Sequence, residues 1–150
     1  MTQAAPKRRL VVDACVVLKW QLDDEEHVDS ALTLRDDLLL RDLVELHAPV
    51  LLHYELTNGV WAAARRARLA ARLAREALDN LLATGIALHP SDAARLLDLA
   101  LRFGITAYDA AYVALAQQLG SELWTADRPL FDAVRRRLPW VRWIADYPAR

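Results

Sequence analysis

The chain predicts an α/β fold built on a mainly parallel sheet. Five short runs, Leu10–Ala14, Glu45–Ala48, Ile86–Leu88, Glu122–Thr125 and Val141–Ile144, have the length and content of strands. Helical stretches fill the gaps between them, which is the alternation that βα units produce. No internal repeat, low-complexity tract or linker interrupts the pattern, so one domain is expected over 1–150, with 1–8 as a loose leader.

In order, Leu10–Ala14 reads as a buried parallel strand, almost wholly apolar and ending in an acid. Cys15–Leu22 turns into a short helix. Asp23-Asp24-Glu25-Glu26 suits a helix N-terminus, where acids complement the macrodipole. The helix it opens, 25–43, offers Val28, Ala31, Leu32, Leu38 and Leu39 to the core. Glu45–Ala48 is the weakest strand. Pro49 fits the first turn of the next helix, which carries Leu52, Glu55, Leu56, Val60 and Ala63, with Asn58-Gly59 in its middle.

A helix over 69–83 stops at Gly85, ahead of the third strand. Pro90-Ser91-Asp92 then opens a helix that ends at Gly104 and has Leu96, Leu97, Leu99 and Leu101 to bury. The helix 105–118 is nearly free of charge, with Asp109 alone in its first turn; Gly120 ends it and strand Glu122–Thr125 follows. A helix over 128–138 leads through Pro139 to the last strand.

At 55% hydrophobic and 26% charged, the composition is that of a folded chain. A formal net charge of -1 gives no global field that would advertise nucleic acid. The basic residues are 17 arginines and two lysines. Arg65, Arg68, Arg72 and Arg75 fall three or four apart and are expected on one helix face, for contact with RNA or with a partner. Arg135-Arg136-Arg137 fits a helix end. The five tryptophans, Trp20, Trp61, Trp124, Trp140 and Trp143, are expected in the core or an interface rather than as base-stacking platforms. Cys15 is the only cysteine, so no intrachain disulfide forms. With no signal-peptide pattern and no membrane-length apolar run, the chain is expected in the cytoplasm, away from membranes.

Ligands of open α/β sheets bind beyond the carboxyl ends of the strands. Asp13 ends the first strand and Asp127 lies just past the fourth. Glu55 falls roughly two turns into the helix after the second, and Asp109 starts the helix leading into the fourth. Four acids distant in sequence thus point at one rim. Like charges crowded in a dry site stay ionised only if something neutralises them. With no Cys or His cluster beside them, oxygen ligation suits a hard divalent cation, Mg²⁺ or Mn²⁺, and such sites hydrolyse phosphodiesters with a metal-activated water.

Each acid also has a plain structural use. Asp109 with Thr106 fits a capping box, Asp127 an N-cap, Asp13 a turn, and Glu55 a solvated helix face. Other chemistries fit less well. A phosphatase of the haloacid dehalogenase type wants a second Asp where Cys15 stands, and the four glycines form neither a dinucleotide fingerprint nor a Walker A loop. A serine nucleophile elbow is missing, and Cys15 reads as a small core residue.

Val11-Val12-Asp13, Tyr54-Glu55-Leu56-Thr57-Asn58, Tyr108-Asp109-Ala110-Ala111-Tyr112-Val113-Ala114-Leu115-Ala116 and Leu123-Trp124-Thr125-Ala126-Asp127 together resemble the PIN domain, and within it the VapC-type toxins of prokaryotic toxin–antitoxin pairs. The resemblance implies a three-layer sandwich with a five-stranded parallel sheet. It makes Asp13, Glu55, Asp109 and Asp127 the ligands of one or two Mg²⁺ or Mn²⁺ ions, with Thr125 and Asn58 in support. The implied activity is endoribonuclease, in a homodimer silenced by a VapB-like antitoxin; the alternative is a catalytically silent PIN-like module that binds RNA or protein. Many relatives carry Ser or Thr just after the first Asp, and this chain has Ala14 and Cys15 there.

Overall fold

The computed structural model describes residues 4–150. Strand β1 spans Arg8–Val12, followed by helices α1 (Ala14–Leu18) and α2 (Val28–Leu39) and strand β2 (Val44–Pro49). Next come α3 (Leu52–Arg65), a 3-10 turn (Ala71–Leu73), α4 (Ala74–Leu82), β3 (Ala87–His89), α5 (Ala93–Phe103) and α6 (Ala107–Leu119). The chain ends with β4 (Glu122–Thr125), α7 (Arg128–Val134), β5 (Val141–Trp143) and a final 3-10 turn. All neighbouring strands pair in parallel in the order β3-β2-β1-β4-β5, and helices cover the sheet as a three-layer sandwich.

The order has one reversal. From β1 the chain winds outward through β2 and β3, then returns to place β4 on the other side of β1. The switch point therefore lies between β1 and β4, where connections leave in opposite directions and open a crevice at the strands' carboxyl ends. Val12 pairs with Trp124 there.

β1 is central, and its Leu10, Val11 and Val12 are fully buried. Helix α6 is apolar around most of its circumference because it is covered on both sides: it packs on β1, β2 and β4, and α5 packs on it. Ala110, Ala111, Tyr112, Val113, Leu115 and Ala116 are all buried. Gly120, at φ 60°, takes the left-handed exit that returns the chain to β4. In the middle of α3, Gly59 admits Leu18 of α1: a Cβ there would lie 2.5 Å from Leu18 Cδ1. That close approach sets α1 against the middle of α3.

Several elements differ from expectation. The leader ends early, since Arg8 already pairs with Val44; residues 1–3 lie outside the described residues. Helix α2 starts three residues late, at Val28, because the acidic run before it is engaged elsewhere. Arg68 Nε donates to Asp24 Oδ2 (2.7 Å) and Arg68 Nη2 to Glu25 Oε1 (2.8 Å), while buried Lys19 donates to Glu25 Oε2 (3.0 Å). Pro49 is the last residue of β2, not the first turn of α3: it pairs with His89, and a proline is tolerated at a strand end.

Helix α5 buries Leu99 and half-buries Leu96, whereas Leu97 and Leu101, one turn apart, face solvent. The expected arginine face does not exist as a single helix. α3 stops at Arg65, Ala67 takes φ 55°, Arg72 sits in the 3-10 turn and Arg75 in α4. Among the tryptophans, Trp20 and Trp124 are core and Trp61 is exposed. No single helix among the described residues is long and apolar enough to cross a membrane.

The C-terminal segment is fastened to α2 through Asp37, which is fully buried. Its carboxylate accepts from Tyr147 Oη (2.7 Å), Arg41 Nη1 (2.9 Å) and Arg150 Nη2 (2.9 Å). Burial alone would raise its pKa, but the bonds from Arg150, Tyr147 and Arg41 outweigh that and hold it below the usual range. The stabilisation is present at neutral pH and is lost as pH falls through the lowered pKa. Asp37→Ala should cost about 2 kcal/mol, the scale of hydrogen bonds to a charged group, as measured by urea unfolding.

Candidate active site

The end of β1 hands the chain to α1 at Asp13. Its amide donates to Trp124 O (3.0 Å) and its carbonyl accepts from Val16 (3.0 Å), so the backbone is pinned between β4 and α1. Its side chain does not cap α1. Instead it turns to β4, where Thr125 Oγ1 donates to Asp13 Oδ2 at 2.8 Å. The same hydroxyl accepts from the amide of Asp127 (3.0 Å). One fully buried threonine thus spaces two acids across the switch point.

Asp127 is the N-cap of α7, with Oδ1 accepting from Leu130 N (3.1 Å). Asp109 stands in the first turn of α6, and its amide donates to Thr106 Oγ1 (3.0 Å). The capping uses read from sequence are therefore real at both positions, and they fix the first turns that present the acids. Glu55 lies in the first turn of α3, not two turns in, because the helix begins after Pro49. That brings it nearer the strand ends than expected. Its Oε1 is buried without a hydrogen-bond partner.

The four acids act on one another. Burial pushes the Asp13 carboxyl up to about 6, with the charges of Asp109 and Asp127 adding to the rise. Burial also pushes Glu55 up to about 7, helped by Asp13, Asp109 and Asp127. Asp109 is raised by burial and by Asp127. Charge couples every pair among the four, which puts them within Coulomb range of one another. Among the described residues, no three His, Cys, Asp or Glu side chains converge tightly enough to enclose an ion outright.

Sequence reading missed two neighbours. Tyr112, fully buried, raises its hydroxyl toward the acids: burial and the charges of Asp13 and Glu55 push its pKa well up, and its Oη has no hydrogen-bond partner. The signal was available, since Tyr112 lies three residues past Asp109 on the same helix face. Cys15 is the other. It is no inert filler: its Sγ accepts from Ala126 N (3.3 Å) and lies 3.7 Å from Thr125 Oγ1. A thiol thus occupies the place of the expected hydroxyl and ties α1 to the turn that carries Asp127.

Asn58 is exposed, in a shallow groove with His53, Tyr54, Thr57 and Trp61, and makes no hydrogen bond to the acids. Of the arginines, Arg68 is taken up by Asp24 and Glu25, Arg75 pairs with Asp79 (3.2 Å), and Arg65 lies over Trp61.

The model of the PIN domain family matches residues 10–136. The chain belongs to the PIN domain family. Ribonuclease VapC3 of Pyrobaculum aerophilum is 37% identical over 128 residues, covering 83% of this chain and 93% of that protein. VapC ribonuclease Mb0985 of Mycobacterium bovis and ribonuclease VapC9 of Mycobacterium tuberculosis are each 32% identical over 133 residues, covering 87% of this chain and 94% of theirs. The crystal structure of PAE2754 from Pyrobaculum aerophilum shares the fold at a TM-score of 0.67, with 24% identity and coverage of 93% and 92% of the two chains.

As a PIN domain, the chain can be tested for the implied metal by its donors. The set is all oxygen, burial and neighbouring charge together raise Asp13 and Glu55, and it includes a buried unpartnered Glu55 oxygen. These features fit a hard divalent cation. A carboxyl raised in the folded state destabilises the fold once pH passes its unfolded pKa, because it must then ionise in a worse place. Glu55→Gln should therefore raise the melting temperature of metal-free protein at about pH 8 and change little at about pH 5. Mn²⁺ should stabilise wild type more at the higher pH and stabilise the variant less, which calorimetry reads directly.

Proposed function

We propose that this chain is a metal-dependent endoribonuclease of the VapC kind. The observation that carries the reading is a rim of four mutually repelling carboxylates at the switch point, with a Glu55 oxygen left unpartnered. The ribonuclease names of the relatives supply the substrate class. Mg²⁺ or Mn²⁺ is the fitting ion, one or two per site, held by Asp13, Glu55, Asp109 and Asp127. A homodimer and a VapB-like antitoxin complete the proposal, and the setting is cytoplasmic.

Bound there, a divalent ion supplies positive charge, an activated water and a counter-charge for the leaving oxygen. The chain's own part is positioning. Thr125 holds Asp13 by its Oδ2 and, through the Asp127 amide, sets the height of the α7 N-terminus. Leu130 N occupies Asp127 Oδ1, which leaves Oδ2 free for the rim. Thr106 fixes the first turn of α6 beneath Asp109. Buried Tyr112 closes the floor next to Glu55 and keeps water from that side. These contacts orient the acids before substrate arrives, so little reorganisation remains for the reaction.

A silent RNA- or protein-binding module would have no use for buried Asp13 and half-buried Glu55, which cost stability at neutral pH unless neutralised. Asp109→Asn should lower Mg²⁺-dependent cleavage of single-stranded RNA by about a hundredfold or more, the scale on which loss of one preorganised electrostatic group is felt. The circular dichroism spectrum should not change. Undiminished cleavage by the folded variant would remove Asp109 from the site.

A further inference from the structure

Helix α3 turns Leu52, Leu56, Val60 and Ala63 to the core and leaves its other face uncovered. On that face Tyr54 is 76% exposed and Trp61 55% exposed, with His53, Thr57 and Asn58 lining the same groove. Tyr54 and Trp61 are seven residues apart, which is two turns, or about 10 Å along the helix. One turn further, the Arg65 guanidinium lies 5.2 Å from the centre of the Trp61 ring. Glu55 is the only acid in α3 and belongs to the rim, so nothing else on this helix repels a phosphate.

The ridge begins at the site. Tyr54 directly precedes Glu55, so their Cα atoms are about 3.8 Å apart. On the other side of the rim Tyr108, 66% exposed, stands in the same relation to Asp109. Exposed rings rooted beside the acids, followed by a ring with a cation over it, match what unpaired nucleotides require: a flat surface for each base and a positive charge for the backbone. The bases of a duplex are already stacked on each other and cannot use it. His53, Thr57 and Asn58 line the groove between the rings, and the Arg65 cation over Trp61 gives this face a charge that a phosphate backbone complements.

We propose that Tyr54 and Trp61 are a base-stacking platform for single-stranded RNA, with Arg65 holding an adjacent phosphate, and that α3 guides the strand to the carboxylate rim. The proposal rests on the ribonuclease reading for the identity of the nucleic acid. It selects unpaired segments as substrate and places recognition on a helix that also supplies a rim acid.

The test is binding in EDTA, where metal-dependent cleavage cannot proceed, read by fluorescence anisotropy of a labelled oligoadenylate. An abasic strand with the same phosphates and a closed hairpin duplex serve as companion probes. Tyr54→Ala and Trp61→Ala should each weaken oligoadenylate binding about tenfold, leave the abasic strand unaffected, and leave the hairpin as weakly bound as it is by wild type. Trp61→Phe should recover most of the loss, and Arg65→Ala should weaken both single strands. Wild-type affinity in both alanine variants, equal losses on the abasic strand, or no oligoadenylate binding by wild type would overturn the platform. So would a change from dimer to monomer in ultracentrifugation with RNA affinity intact, which gives this face to a second copy. Binding that depends on Tyr54 and Trp61 in a wild type that cleaves no RNA with Mg²⁺ would support the platform and overturn the ribonuclease reading instead.

Discussion

Carboxylates that share a rim repel one another, and burial takes away the water that would screen them. Here burial lifts Asp13 and Glu55 toward neutrality, and the charges of the neighbouring acids add to the rise. A protein concerned only with stability would replace such groups with apolar ones. The rest of the structure can be understood as what is needed to hold four acids where they do not want to be. Asp13 is fixed on both sides, by its backbone to Trp124 and by its side chain to Thr125. Asp109 and Asp127 are locked into helix first turns by Thr106 and Leu130.

The topology makes the convergence possible. A parallel sheet sends all its carboxyl ends to one edge, and the reversal between β1 and β4 opens that edge to solvent. Helix α6, covered on both sides, brings Asp109 and Tyr112 to it from below. α1 and α3 close on each other through Leu18 and Gly59, one turn past Glu55. The Asp37 clasp to Tyr147 and Arg150 fastens the C-terminal segment to α2. Acidification acts on the two in opposite ways: it relieves the rim and, at lower pH, undoes the clasp.

The sequence disclosed whatever depended on short range. Strand-end acids, the Thr106 and Asp127 caps and the apolar helix α6 follow from local pattern. What it did not disclose depended on partners far along the chain. The acidic run at Asp23–Glu26 looked like a helix start because Arg68, the counterpart of Asp24 and Glu25, lies outside any local window. Pro49 looked like a helix opening, and its pairing with His89 in β2 displaced Glu55 by a turn in the reading. The arginines looked like one face because spacing alone cannot register the left-handed break at Ala67. Cys15 looked like filler because a thiol accepting an amide proton from Ala126 has no sequence signature. Leu97 and Leu101 were read as core, since exposure is a property of the neighbours and not of the residue.

The measurement that bears most directly on this account is anomalous diffraction from crystals soaked in Mn²⁺ at neutral pH. The account predicts a peak, or an adjacent pair, bounded by Asp13, Glu55, Asp109 and Asp127, and its loss in Asp13→Asn crystals of unchanged fold. Density at some other acidic or histidine-bearing surface, such as Glu45, His47 and His89, with nothing at the rim would contradict it.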